Sequence, residues 1–118
     1  MRKTNRCKVI IGASIYDLIY TKETIVADGE DCYGSHHFTP RIIKVTADKD
    51  VNIQQKEETT LHEIVHGIND DRGLGLTEDQ VAGISAGFYQ VLRDNKELIH
   101  GFTFGGDDSC RDLKIPIN

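Results

Sequence analysis

The chain has 118 residues, with 14 Lys and Arg against 19 Asp and Glu and a net charge of −5. That length suits one domain with a core of its own, and the acidic balance argues against a nucleic-acid partner, which needs a clustered excess of Lys and Arg. No stretch approaches the ~18 apolar residues of a membrane span.

The basic residues Arg2, Lys3, Arg6 and Lys8 cluster at the start and read as a solvated terminus. Residues 9–16 are too short for a signal peptide, are followed by Asp17 and have no small-residue cleavage site after them, so they read as buried strand. Cys7, Cys32 and Cys110 are odd in number and widely spaced, with no CxxC pair. That usage fits a reducing, cytoplasmic setting better than a disulfide framework.

The first third of the chain reads as β structure. Residues 8–11 and 15–20 are apolar, β-branched and aromatic, and Gly12-Ala13-Ser14 between them signals a hairpin. Asp28-Gly29-Glu30-Asp31 has the composition of a turn. Residues 32–38 and 41–46 follow as strands joined through Thr39-Pro40, because proline has no N–H to give a central strand. These segments predict a small antiparallel sheet of three or four strands.

The period then changes. Leu61, Ile64, Val65 and Ile68 recur at three and four residues, one face of a helix. Asn52 with Gln55 three residues later predicts a capping box and a helix over 53–69. Residues 69–76, with two Asp and two Gly, read as a loop. Thr77 and Gln80 predict a second capping box. Val81, Ile84, Phe88, Val91 and Leu92 then mark a second amphipathic helix ending near Asn95, in which Gly83 and Gly87 allow close helix packing. Residues 98–118 read as an irregular tail, glycine-rich over 101–108 and with a short apolar run over 113–117. The fold expected is α+β, a small antiparallel or mixed sheet packed against two main helices, as one domain over 1–118 with its core at about 8–97.

His62-Glu63-Ile64-Val65-His66 is an HExxH sequence inside the first helix. Chance produces that pattern in only about 1% of chains of this composition. Helix positions four apart share a face, so both imidazoles can reach one Zn²⁺ ion. Glu63, next to the first His, is placed to act as general base on the attacking water. A catalytic zinc needs a third protein ligand and an open position. Glu78 leads, at the first turn of the second helix, where an αα-hairpin folds back over the first; Asp79, Asp70 and Asp71 are its rivals. First-turn acids also serve simply to complement the helix dipole.

The HExxH segment preceded by Glu57-Glu58-Thr59-Thr60-Leu61 and followed by the Glu-bearing helix of residues 77–95 resembles the minimal gluzincin metallopeptidases. It is especially similar to the small ones carried by phages and mobile elements, and more distantly to the ImmA/IrrE-type peptidases. The resemblance covers residues 8–97 and its one sharp motif is HExxH. It implies a zincin-like core, His62, His66 and Glu78 as zinc ligands, Glu63 as base, and a peptide or protein substrate paired with an edge strand near Gly34, His36 and His37. Larger gluzincins also carry a Tyr or His that stabilises the oxyanion. Tyr33, His36, His37 and His100 are the candidates here, Tyr89 lying about 16 Å along the helix from Glu78. A chain this short has little material for substrate pockets. The rival reading is therefore a zincin-fold module that binds a peptide or protein with little or no catalysis, and a closed structural zinc site ranks below both.

Overall fold

The computed structural model describes residues 5–105. Six strands precede three helices: β1 (Arg6–Ile11), β2 (Ser14–Thr21), β3 (Ile25–Ala27), β4 (Glu30–Cys32), β5 (Gly34–His37), β6 (Ile42–Thr46), α1 (Ile53–Arg72), α2 (Glu78–Asp94) and α3 (Lys96–His100). The domain is α+β, with one mixed four-stranded sheet in the order β1-β2-β6-β5 and a separate β3-β4 ribbon. Cys110 and the apolar run over 113–117 lie outside the described residues.

The β1–β2 hairpin turns at Gly12 as its sequence predicts, with Ile11 opposite Ser14 and Arg6 opposite Ile19. Alternation along β2 sends Tyr16 and Leu18 inward. Of the two expected arrangements, antiparallel or mixed, the sheet is mixed. β6 runs parallel to β2, with Leu18 opposite Ile43 and Tyr20 opposite Val45, and antiparallel to β5. These pairings gather Ile11, Tyr16, Leu18, Ile43 and Val45 into one cluster, against which Val9, Tyr20 and Ile64 of α1 pack. Tyr20 Oη and Thr60 Oγ1, 2.8 Å apart, tie that sheet face to the helix.

The single strand expected over 32–38 is two short ones interrupted at Tyr33. Glu30 and Asp31, expected in a turn, belong to β4. Pro40 sits in the β5–β6 connection, as its missing N–H requires.

The first helix runs three residues past its expected end. Asn69, Asp70 and Asp71 look like loop residues, but Gly73 at φ 59° closes the helix by donating its N–H to the Asn69 carbonyl. That left-handed conformation is open to glycine at little steric cost. At the other end only half of the expected capping box forms. Asn52 Oδ1 accepts from the Gln55 N–H, whereas the Gln55 side chain donates to Thr59 Oγ1. The second box is complete: the Gln80 N–H donates to Thr77 Oγ1 and the Thr77 N–H to Gln80 Oε1.

The α1–α2 connection is short and fastened, because Asn69 Oδ1 accepts from the Leu76 N–H at 3.0 Å. It returns the start of α2 to the middle of α1. The residues of α2 buried there are Val81 and Ser85, on the stripe that begins at Glu78 and continues to Tyr89. Tyr89 Oη extends the contact by donating to Glu57 Oε1 at 2.7 Å. Ile84, Phe88 and Val91, on the neighbouring stripe, stay exposed. Gly83 and Gly87 do not mediate close packing either, since a Cβ added at either would meet nothing within 4 Å. The segment expected to be irregular from residue 98 begins with the last turn of α3.

Candidate metal centre

HExxH occupies the middle of α1, where the helical repeat sets His62 and His66 one above the other with ring centroids 4.9 Å apart. Glu78, the first helical residue of α2, reaches both. Its Oε2 lies 2.9 Å from His62 Nε2 and its Oε1 2.9 Å from His66 Nε2. Ligand atoms from these three residues all lie within 4.8 Å of one another. Asp70 does not join them; it approaches His36 Nε2 at 3.4 Å. Asp71 lies against Gly12, where any added Cβ would overlap its carboxylate. Asp79 is exposed on the first turn of α2.

The donor set fits a divalent cation. Two imidazole nitrogens and one carboxylate are the ligand types of open zinc sites, whose ligand atoms stand ~3.3 Å apart at tetrahedral angles and normal bond lengths. A slight opening of the 2.9 Å contacts reaches that spacing. The side chains of His62, His66 and Glu78 are 21%, 27% and 67% exposed, so one side of the cluster faces solvent.

Glu63 is only 6% exposed, yet it lines a cleft of about 240 Å³ together with His62 and Glu78. Burial, reinforced by the nearby Glu78 charge, pushes its carboxyl up to about 7. The opposite wall is the chain at Cys32, Tyr33 and Gly34, and Gln55, Glu58 and Thr59 extend the α1 wall one to two turns before His62. Gly34 permits this narrow approach. A Cβ there would stand 2.5 Å from Thr59 Cγ2 and 3.2 Å from Glu63 Oε2, so a side chain at this point would push into the helix and the carboxylate. Glu58 is half-buried in the cleft wall.

The remaining sequence-derived candidates spread out. His36 lies behind the cluster, its ring stacked on His66 at 6.0 Å and its Nε2 3.1 Å from Tyr16 Oη. Burial holds the His36 imidazole below its ordinary pKa against the opposing pull of Asp70. His37 is exposed, with Nε2 3.4 Å from Ser35 Oγ. His100 ends α3. Of the four oxyanion candidates, Tyr33 lines the cleft.

Two participants escaped the sequence reading. Tyr16 reads as core, and it is core, but its hydroxyl also meets His36. Ser85 lies seven residues after Glu78, hence on the same helix face, and its buried Oγ stands 3.4 Å from His62 Nδ1. That spacing was the available signal.

No family model, no curated protein and no solved structure matches this chain.

Proposed function

We propose that the protein is a zinc-dependent hydrolase of peptide bonds. The observation that carries the reading is the convergence of His62, His66 and Glu78, two of which, His62 and Glu78, line one open cleft together with the buried Glu63. Zinc held by those three ligands would acidify water and polarise a carbonyl oxygen. Glu63 takes the proton from the attacking water and passes it to the leaving amine. Burial keeps that carboxyl beside the ligands and away from bulk water, as a group that moves a proton within the cleft requires. Tyr33, the one oxyanion candidate in the cleft wall, would be the phenol that donates to the developing oxyanion.

β5 is an edge strand of the four-stranded sheet and its first residue, Gly34, lines the cleft. An extended peptide can add to such an edge through main-chain hydrogen bonds. Gly34 and His36 then contribute outward backbone groups, since the Tyr33–Thr46 bond and the alternation of the antiparallel pair turn the His37 backbone toward β6, and the His36 side chain stays in its own contacts with Tyr16 and His66.

A second reading, a peptide-binding module of the same zincin-like design with little catalysis, draws on the size of the cleft. At about 240 Å³ it encloses less than the 300 Å³ or so at the lower end of typical ligand pockets.

Two measurements separate the readings. Protein purified without added metal carries about one zinc per chain, or takes it up at micromolar zinc. Glu63→Gln retains that zinc and loses hydrolysis of casein or a quenched peptide pool. Undiminished turnover in this variant removes Glu63 as the base. Zinc uptake without turnover by the wild-type chain supports the binding module.

A further inference from the structure

A histidine can present only one nitrogen to a metal, and which one is available depends on where its other nitrogen finds a hydrogen bond. His62 Nε2 points at Glu78, 2.9 Å away. Its Nδ1 points the other way, toward Ser85 Oγ at 3.4 Å. Ser85 is 1% exposed, so its hydroxyl has no water to turn to. That hydroxyl donates its own proton to the Ala82 carbonyl at 3.2 Å. With a cation on Nε2 the single imidazole proton of His62 sits on Nδ1, so Oγ accepts from it while the hydroxyl's own proton stays with the Ala82 carbonyl.

We infer that Ser85 is a positioning residue for the metal centre. By accepting from Nδ1–H, its buried hydroxyl holds His62 in the tautomer and ring orientation that turn a bare Nε2 toward the cation. The inference rests on the metal-binding reading of the His62/His66/Glu78 cluster. It gives α2 two roles in one stripe, Glu78 as ligand at the helix start and Ser85 two turns later as the group that orients an opposing ligand. Helix geometry fixes the distance between these roles, so the register of α2 against α1 sets both together. Serine suits the position because it is small enough to lie between packed helices and bonds the preceding turn of its own helix, leaving one acceptor direction outward.

Ser85→Ala tests this. The variant removes one oxygen and retains helix propensity, so its metal-free thermal unfolding should stay close to wild type. Zinc affinity, read by competition with a chromophoric chelator, should fall about tenfold, the lower range for loss of a group that orients a ligand. In zinc-loaded, ¹⁵N-labelled protein the His62 Nδ1–H should give a proton resonance protected from water exchange, and Ser85→Ala should lose that protection. Affinity within twofold of wild type overturns the inference. So does weakened affinity with the protected resonance intact, because the loss then lies in helix packing. A wild-type chain that takes up no zinc overturns the metal reading itself, and this inference with it, and is a different result from a variant that matches wild type.

Discussion

Two groups of histidine and carboxylate sit on either side of His66 and use the same chemistry to opposite ends. In one, Glu78 reaches the Nε2 atoms of both His62 and His66 from a partly solvent-exposed position. In the other, His36 is half-buried with its side chain only 9% exposed, and Nε2 is shared between the Tyr16 hydroxyl at 3.1 Å and Asp70 at 3.4 Å. The rings of His36 and His66 are nearly parallel, 18° apart, so the two groups are in contact. What separates them is convergence and access. The first group aims two lone-pair donors and a carboxylate at one point open to solvent. The second supplies a buried imidazole with enough partners to remain where it is, which buried polar groups require. Composition alone does not distinguish a metal centre from a satisfied core histidine.

The largest expected effect tests that difference directly. His66→Ala or Glu78→Ala removes one of three ligands, and zinc affinity should fall on the order of a thousandfold, since the ligands hold the ion jointly. Asp70→Asn lies one turn beyond His66 on the same helix and should leave affinity within about threefold. Equal losses in Asp70→Asn and Glu78→Ala, measured by chelator competition, would merge the two groups into one site.

A smaller effect concerns Glu63, which belongs electrostatically to the open group. In metal-free protein its carboxyl rises from 4.5 to about 7 through burial and the Glu78 charge. The folded state therefore binds more protons than the unfolded state between those two values, and stability falls as pH rises through that window. Above it, an ionised Glu63 costs about 3 kcal/mol relative to its unfolded reference. Glu63→Gln removes this penalty. Stripped of metal with chelator, the variant should unfold at higher urea than wild type at pH 8 and at nearly the same urea at pH 4. A gap that does not close on acidification would show that Glu63 carries no such penalty. The open group thus carries a destabilising carboxylate above neutral pH, whereas the His36 group has its partners in place.

Much of the open group is legible in the sequence because helix rules are local. His62 and His66 four apart on a periodic helix share a face, and Thr77 with Gln80 marks where α2 starts and hence where Glu78 stands. The rest depends on contacts between distant segments. Asn69 to Asp71 have loop composition, and only the αL glycine at position 73 with the Asn69 side-chain bond to Leu76 makes them helix. The parallel pairing of β2 with β6 brings together strands more than twenty residues apart, and nothing within either strand names its partner. That pairing also sets β5 beside α1, and so carries His36 behind His66 where hydrophobic periodicity cannot place it. On α2 the apolar pattern merges two stripes; the structure buries the one holding Val81 and Ser85 and leaves Ile84, Phe88 and Val91 exposed. A serine among those residues looks like an interruption of the pattern, yet it lies on the buried face against His62.

The smallest effect asks whether the two groups communicate. Tyr16→Phe keeps the ring among Ile11, Leu18, Ile43 and Val45 and deletes only the hydroxyl that meets His36. Loss of one buried hydrogen bond costs about 1 kcal/mol, which a shift of the urea midpoint at unchanged slope reads directly. His36 retains Asp70 as a partner and its stack on His66, so zinc affinity should stay within twofold of wild type. A tenfold loss would mean that the His36 ring holds His66 in place through that stack. The buried group would then be the rear support of the metal centre, and the distinction between a satisfied histidine and a ligating one would hold for His36 itself but not for its effect.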